Sequence, residues 1–383
     1  MPESNAYDDF ALAASKIAGL KHVVVLASPR RAPLHGEELK AAVEEAASIH
    51  ALIRRALQEP CMVPPIRDPS GMFTRVSTYP NQRALARILV AISQYNETRR
   101  HFTEAADAAL DGMEMSHMLN RGASVLGLLV DYATYSICSK QLRRVIDRVP
   151  PRALPRIAAR LDRIRSKVVP FGDILMEEGW VMVEMDRVEI AGAANPRVAL
   201  DTVHELTEGS ANQTPSVKDV LQAAAFALAD KRALIERHLQ YFRDVAAETR
   251  GPYTGRIHTP PPRDILGRFL AVEPRTWAVY LEGVADLDLM RVYVAILRYR
   301  TDHGAYPAAL QSLVPGYLAS LPEDPFGGGR AIPFRYHIAP LPTGFVLYSL
   351  GPDLKDDGGK PSARSRRFEG PGDIVMHPYL NTE

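Results

Sequence analysis

The run from Lys140 to Lys167 places ten Lys and Arg residues against two acids, Asp147 and Asp162, a local charge of +8. Arg152, Arg156, Arg160 and Arg163 fall at helical spacing on one face, opposite Leu154, Ile157, Leu161 and Ile164. Such a face attracts anions, either lipid headgroups or a polyanion. The next segment, Phe171 to Ile190, carries Asp173, Glu177, Glu178, Glu184, Asp186 and Glu189 against Arg187, a local charge of −5. Two successive helices of opposite charge neutralise each other if they pack antiparallel, and that internal pairing is the expectation here. Aromatic residues for base stacking are missing from the basic face, which argues against nucleic acid.

Catalytic chemistry has fewer footholds. The chain contains no Gly-x-Ser-x-Gly, no Gly-x4-Gly-Lys-Ser/Thr, no His-Glu-x-x-His and no Gly-x-Gly-x-x-Gly. His204-Glu205, and His101 with Glu104, have the types needed for a metal or acid–base pair, but single pairs are ordinary on solvated helix faces. Asp8-Asp9 reads as helix-start charge, and Gly327-Gly328-Gly329 after Asp324-Pro325 as a turn. Cys61 and Cys138 are too few for a disulfide framework or a four-ligand zinc site. Two buried free thiols are expected, with a single bridge left open for an exported chain.

The scaffold that must position these groups is long enough for two or three domains: 383 residues, 46% hydrophobic and 24% charged. A net charge of +1 provides no global field to draw the chain onto nucleic acid. No apolar run is long enough to span a bilayer, and the chain as written opens without an export signal. Helical spacing runs from Asn5 to Leu20, from Gly36 to Leu57, and through a small-residue hairpin from Asn81 to Ser116. The hairpin resembles one tetratricopeptide-type unit, without a second copy at that period. Val23 to Leu26 fits either a strand or a helix end. Prolines 60, 64, 65, 69 and 80 predict a stiff connection without helix, with Asn81 as the next cap. Further helices are expected at Ala123–Val149, Arg152–Val168, Phe171–Ile190 and Val217–Glu248. The Gly- and Pro-rich stretch Arg250 to Arg263 marks a boundary. Beyond it come helices at Glu273–His303, with a Leu287, Met290, Val294, Leu297 stripe, and at Ala308–Leu318. Two alternating runs at Phe334–Ile338 and Phe345–Tyr348 form a hairpin, with a third short strand at Asp373–Met376.

Residues 290 to 376 carry Tyr299-Arg300, Asp302-His303-Gly304, Tyr306-Pro307, Leu313-Val314, Tyr317-Leu318, Leu321-Pro322-Glu323-Asp324-Pro325-Phe326-Gly327, Arg335-Tyr336, Leu347 through Asp353, Asp357-Gly358-Gly359 and Gly372-Asp373-Ile374. In order and spacing this region resembles the globular part of the major pseudopilins of type II secretion systems. The resemblance implies a calcium ion bound by the Leu350 carbonyl, Asp353 and Asp373, with Asp356 or Asp357 as further ligands. Calcium takes six to eight oxygens, and a Gly-rich acidic loop supplies carboxylates and free carbonyls together. Such loops are also good turns, so both readings stand. The insertion from Lys360 to Gly370, with Arg364, Arg366 and Arg367, departs from the family and would weaken a cation. A pseudopilin opens on a leader and a hydrophobic fibre-core helix; helical protein precedes residue 290 here, so a working pilus subunit is not expected. The whole chain is similar to large, uncharacterised bacterial proteins with an Asn-Ala-Tyr-Asp segment, here Asn5 to Asp8, after a membrane anchor. That likeness implies an anchor upstream of Met1.

The expected fold is therefore mainly α: a multi-helix domain with repeat-like pairs over residues 1–262, then a small pseudopilin-like α+β module with a short antiparallel sheet over 263–383. The leading functional expectation is a non-enzymatic structural or interaction protein of the bacterial envelope or beyond the cytoplasm, calcium-stabilised at its C-terminal module. It engages a protein partner or itself, no nucleic acid, and a membrane only through an anchor outside this chain. A helical-repeat adaptor binding a peptide or protein over Asn81–Ile190 is the second hypothesis. An enzyme with a site assembled from distant residues is the third, and a deep pocket with converging His, Asp or Glu would favour it.

Overall fold

Asn5 organises the start of the chain. Its Oδ1 accepts from the Tyr7 N–H at 3.3 Å and from the Met62 N–H at 3.0 Å, and its Nδ2 donates to the Met62 carbonyl at 2.8 Å. One polar side chain thus caps α1 (Ala6–Ser15) and ties it to a segment far along the chain. The computed structural model describes residues 2–27, 34–66, 69–192, 228–264, 270–329, 331–340, 344–361 and 372–377. Among these the fold is mainly helical, eleven α-helices, with a small three-stranded antiparallel sheet near the C-terminus.

Several local expectations change for physical reasons. Val23–Ala27 is a short helix, α2. The Gly36–Leu57 stretch divides at Ala46 into α3 (Gly36–Glu45) and α4 (Ala47–Ala56). The two halves serve different neighbours: α3 packs on α2 and α5 (Pro69–Thr98), and α4 on α1 and α6 (Phe102–Leu119). Helix α5 enters the stretch where proline spacing predicts none. Pro69 is its first residue, where a missing N–H has no intrahelical acceptor to serve. Pro80 lies inside, at a cost on the order of 3 kcal/mol, and buried Leu85, Ile88, Leu89 and Ile92 downstream outweigh it. Asn81 is therefore interior to a helix and caps none. The helix expected at Ala308–Leu318 shrinks to one 3-10 turn, Leu310–Leu313, because Pro315 bars helical backbone just before it. Of the Val217–Glu248 stretch, residues 217–227 lie outside the described residues; α10 (Lys231–Glu248) is the described helix there.

The α5–α6 hairpin forms as its small residues imply, with Ala105, Ala106 and Ala109 wholly buried. Helix α7 (Val125–Val145) joins it, and the three meet at Gly112. A Cβ there would fall well inside the contact distance of the Cys138 sulfur and 3.4 Å from Leu89 Cδ1. Helices α8 (Leu154–Ser166) and α9 (Phe171–Gly192) continue the bundle, and α9 pairs with α10.

Helix α11 (Pro274–His303) is the central strut. It contacts α7 and α8 on one side and the sheet on the other. Strands β1 (Arg335–Ile338), β2 (Phe345–Ser349) and β3 (Ile374–His377) run in the order β1-β2-β3, with Tyr336 opposite Leu347 and Ser349 opposite Ile374. Phe345 and Leu347 of β2 are fully buried, and Phe345 meets the rings of Tyr293, Tyr306 and Tyr336. The Gly- and Pro-rich connection before α11 is pinned as well. Its Tyr253 sits edge-on to Trp277 at 5.0 Å and to Phe326 at 5.3 Å.

One guanidinium ties these layers together. Arg143 of α7 pairs with Asp286 of α11 and donates to the Val375 carbonyl of β3 at 2.9 Å. Asp286 also accepts from Tyr135 at 3.0 Å and from Ser139. Removing one partner of a buried pair strands the other, at about 3–5 kcal/mol. Arg143→Met is expected to destabilise the chain by that order and Asp286→Asn by less. In chemical denaturation the double variant should lose less than the sum of the two; strict additivity would show that the pair does not couple. Gly112→Ala should cost about 1–3 kcal/mol through overpacking. Adding Cys138→Ala should recover most of that loss, and no recovery in thermal melts would place the strain elsewhere.

Candidate functional site

The C-terminal acidic loop is built on two buried carboxylates that bind backbone. Asp324 accepts from the Ser349 hydroxyl at 2.6 Å and from the Leu350 and Phe326 N–H groups at 3.0 Å, so it shapes the Ser-Leu-Gly turn after β2. Burial pushes its carboxyl upward against these bonds. Gly351 follows at φ 78°, and a Cβ there would lie 2.7 Å from the Gly372 carbonyl. Only glycine lets the two ends of the loop meet this closely. Asp373 accepts from the N–H groups of Gly359 at 2.7 Å, Lys360 at 3.2 Å and Asp357 at 3.4 Å. Burial raises its carboxyl as well, despite these donors.

The remaining acids of the loop divide into two kinds. Asp356 turns to the strands, accepting from Tyr348 at 2.8 Å, Gly358 N–H at 3.1 Å and Arg335 at 3.1 Å. Asp353 accepts from the Lys355 N–H through Oδ1, while its Oδ2 is buried without a hydrogen-bond partner. Asp357 Oδ2 is buried and unpartnered too. Leu350 is buried at the head of the turn. Among the described residues no group of three or more His, Cys, Asp or Glu side chains is placed to hold a metal ion. A cation here would have to combine the two unpartnered carboxylate oxygens with main-chain carbonyls, which suits a hard, oxygen-seeking ion. Residues 362–371, including Arg364, Arg366 and Arg367, lie outside the described residues.

The basic run is neutralised internally, but by other helices than expected. Arg156 pairs with Asp107 at 2.8 Å, and Arg160 with Asp111 at 2.5 Å and Glu114 at 3.1 Å, all on α6. Lys167 reaches Glu114 at 2.7 Å, Arg165 reaches Asp288 of α11 at 3.0 Å, and Arg144 and Arg148 share Glu97 of α5. Burial opposes ionisation of Asp111, but the bond to His50 and the Arg160 charge hold its carboxyl below the ordinary range. Helix α9 was expected to supply these acids. Its Glu178 instead turns to the start of α7, accepting from the Val125 N–H at 2.9 Å, and burial raises its carboxyl. Arg152 and Arg163 stay exposed on the outer face.

A cavity of about 600 Å³ opens between the end of α6, the α8–α9 turn and the Pro60–Met62 segment. Two of its lining residues, His117 and Asn120, were not foreseen from any motif. His117 and Asn120, each only 7% exposed, leave Nε2 and Oδ1 without hydrogen-bond partners. Both also border a small adjoining pocket lined by Asp131, whose Oδ1 is likewise buried and unpartnered. Burial lowers the His117 imidazole to about 4, with Arg165 adding to the effect, so the ring is neutral at ordinary pH. Burial alone pushes the Asp131 carboxyl well above its usual value. Cys61 lines the same cavity as a buried free thiol, raised to about 12 by burial, and Cys138 is the second such thiol. Polar residues at helix positions that should face the core were the available signal: His117, Asn120 and Asp131 interrupt otherwise apolar stripes.

The other sequence candidates stay apart. His101 and Glu104 are exposed at the start of α6, and Asp9 pairs with Arg55. Gly327 caps a turn on the Asp324 carbonyl. His204-Glu205 lies outside the described residues. Compared with family models, curated proteins and solved structures, the chain finds no match.

Asp131 sets a pH-dependent expectation. Its folded value lies above its unfolded value near 3.9, so the stability linked to it is full below about pH 4 and is lost as pH rises. Asp131→Asn should therefore melt higher than the native chain at pH 7, with a gap that narrows toward pH 4. A gap that stays constant across that range in thermal melts would contradict this burial effect.

Proposed function

We propose that this chain is a non-enzymatic structural or interaction protein of the bacterial envelope or the space outside the cytoplasm, with a calcium-closed C-terminal module. The observation that carries the proposal is the pair of buried carboxylate oxygens, Asp353 Oδ2 and Asp357 Oδ2, left without donors in one Gly-rich turn. Burying carboxylate oxygens without donors is costly, and a bound cation removes that cost. Asp353, Asp357 and main-chain carbonyls such as that of Leu350 would hold the ion; it would supply charge neutralisation and a cross-link. Asp373 and Asp356 act beside it, the first by holding the Gly359–Lys360 backbone and the second by bridging to Arg335. The resemblance of residues 290–376 to major pseudopilins supports the same ion and an extracytoplasmic setting.

The module is joined to the bundle through Arg143, through Tyr293 donating to Asp147, and through Tyr253, which suits a rigid unit presenting a surface rather than a hinged catalytic pair. The partner proposed is a protein or a second copy of the chain. Among the described residues no helix is long and apolar enough to cross a membrane. The paired state of most basic residues from Arg144 to Lys167 argues against a nucleic-acid partner.

Melting the full chain in EDTA and in millimolar calcium tests the ion. Saturation at about 100 times the dissociation constant adds roughly 2.7 kcal/mol, so EDTA should lower the melting temperature and excess calcium restore it. Asp353→Asn and Asp357→Asn should each abolish the difference, and Asp356→Asn should keep it. Superimposable curves with chelator and with calcium would leave the loop held by Asp373, Asp324 and turns alone.

A further inference from the structure

We infer that the cavity between the end of α6, the α8–α9 turn and the Pro60–Met62 segment, together with the α9 face beside it, binds a basic peptide segment of a protein partner, with an arginine or lysine side chain entering the cavity. The inference rests on the reading of this chain as an interaction protein and names the chemistry of what it engages. About 600 Å³ lies within the range of ligand pockets. The lining carries the carboxylates of Glu59, Asp173 and Glu177, and among the described residues none of the three is held in an ion pair or a side-chain hydrogen bond. Two cations line the cavity as well, but Lys167 is already bound to Glu114 at 2.7 Å, which leaves Arg121 against three unpaired carboxylates. The His117 imidazole is neutral and Cys61 stays a thiol, so neither offsets this balance.

The helix that supplies two of these acids extends the site. Asp173, Glu177 and Trp180 follow at i, i+4 and i+7 along α9 and therefore share one face. Asp173 is exposed, and Trp180 leaves 47% of its surface in solvent. An indole ring one turn beyond free carboxylates attracts a guanidinium or ammonium through its face, while the carboxylates attract the same group through charge. From Asp173 to Trp180 is about 10 Å along the helix axis. That span matches about three residues of extended peptide and exceeds a single small cation. Met62, Met118, Met176 and Ile174 line the cavity and give the stem of a long basic side chain an apolar, adaptable wall. An acidic peptide would meet the same carboxylates as repulsion.

Calorimetric titration of the full chain, in buffer containing calcium, with pentaarginine, pentaglutamate and argininamide tests this. Pentaarginine should bind and pentaglutamate should not. Asp173→Lys and Glu177→Lys should each weaken pentaarginine by about fivefold or more, and Trp180→Ala by about threefold. Met176→Trp, which crowds the cavity wall, should weaken it by about fivefold as well. Asp173 and Trp180 are exposed, so their variants carry the test if one at a half-buried position fails to fold. Glu38→Lys makes the same change of net charge at an exposed position of α3 and should alter affinity by less than about twofold. No pentaarginine binding up to about 1 mM would overturn the inference. If calcium still raised the melting temperature in that case, the reading of the C-terminal module would stand without it. Equal weakening by Glu38→Lys would reduce the effect to net charge, and argininamide binding as tightly as pentaarginine would replace the peptide with a small cation; either result overturns the inference.

Discussion

The interior of this protein is organised around carboxylates that must not be left alone. Asp286 and Asp288 of α11 and Asp111 and Glu114 of α6 face inward, where an unpaired charge would cost several kcal/mol. Arginines and a lysine from α7, α8 and the turn after α8 meet them. The helices are thereby fixed in one arrangement, because sliding any of them by a turn would leave a carboxylate facing apolar side chains. The small net charge of +1 conceals this internal pairing of the basic run with carboxylates on α5, α6 and α11.

The same constraint explains why the small sheet is stable. Three strands of four or five residues make a marginal structure by themselves. Here Phe345 and Leu347 bury against α11, and Arg143 reaches past Asp286 to the backbone of β3. The guanidinium that neutralises the bundle therefore also anchors the module. Tyr253, wedged against Trp277 and Phe326, holds the chain between the two parts. A disturbance of α11 would be felt at both ends.

Against this largely paired background, some buried polar atoms are left without a hydrogen-bond partner. Five of them fall in two places, the acidic turn with Asp353 and Asp357 and the adjoining pockets lined by His117, Asn120 and Asp131; others, such as those of Gln82 and Trp277, lie elsewhere. The two differ chemically. The first groups carboxylate oxygens suited to a hard cation, and the second places an imidazole, an amide and a carboxyl among apolar side chains.

The amino-acid sequence by itself determined the helices with strong 3.6 periodicity, the small-residue hairpin of α5 and α6, the Leu287–Val294 stripe of α11 and all three strands. Periodicity is a local property, so burial of one face follows from the order of residues alone. The acidic loop was also legible, since glycines and aspartates at that spacing dictate a turn with oxygens. Tertiary structure decided the rest. Pro80 lies inside a helix because burial further along α5 outweighs the lost hydrogen bond. The basic stripe answers to α6 and α11 rather than to α9, because charge complementarity permits many partners and only packing chooses among them. Asp324 and Asp373 became backbone clamps, and His117 of α6 came to share a pocket with Asp131 of α7, because those groupings join residues from different turns, helices and strands. A side chain's partner in space is set by how helices stack, and no window of local sequence contains that information.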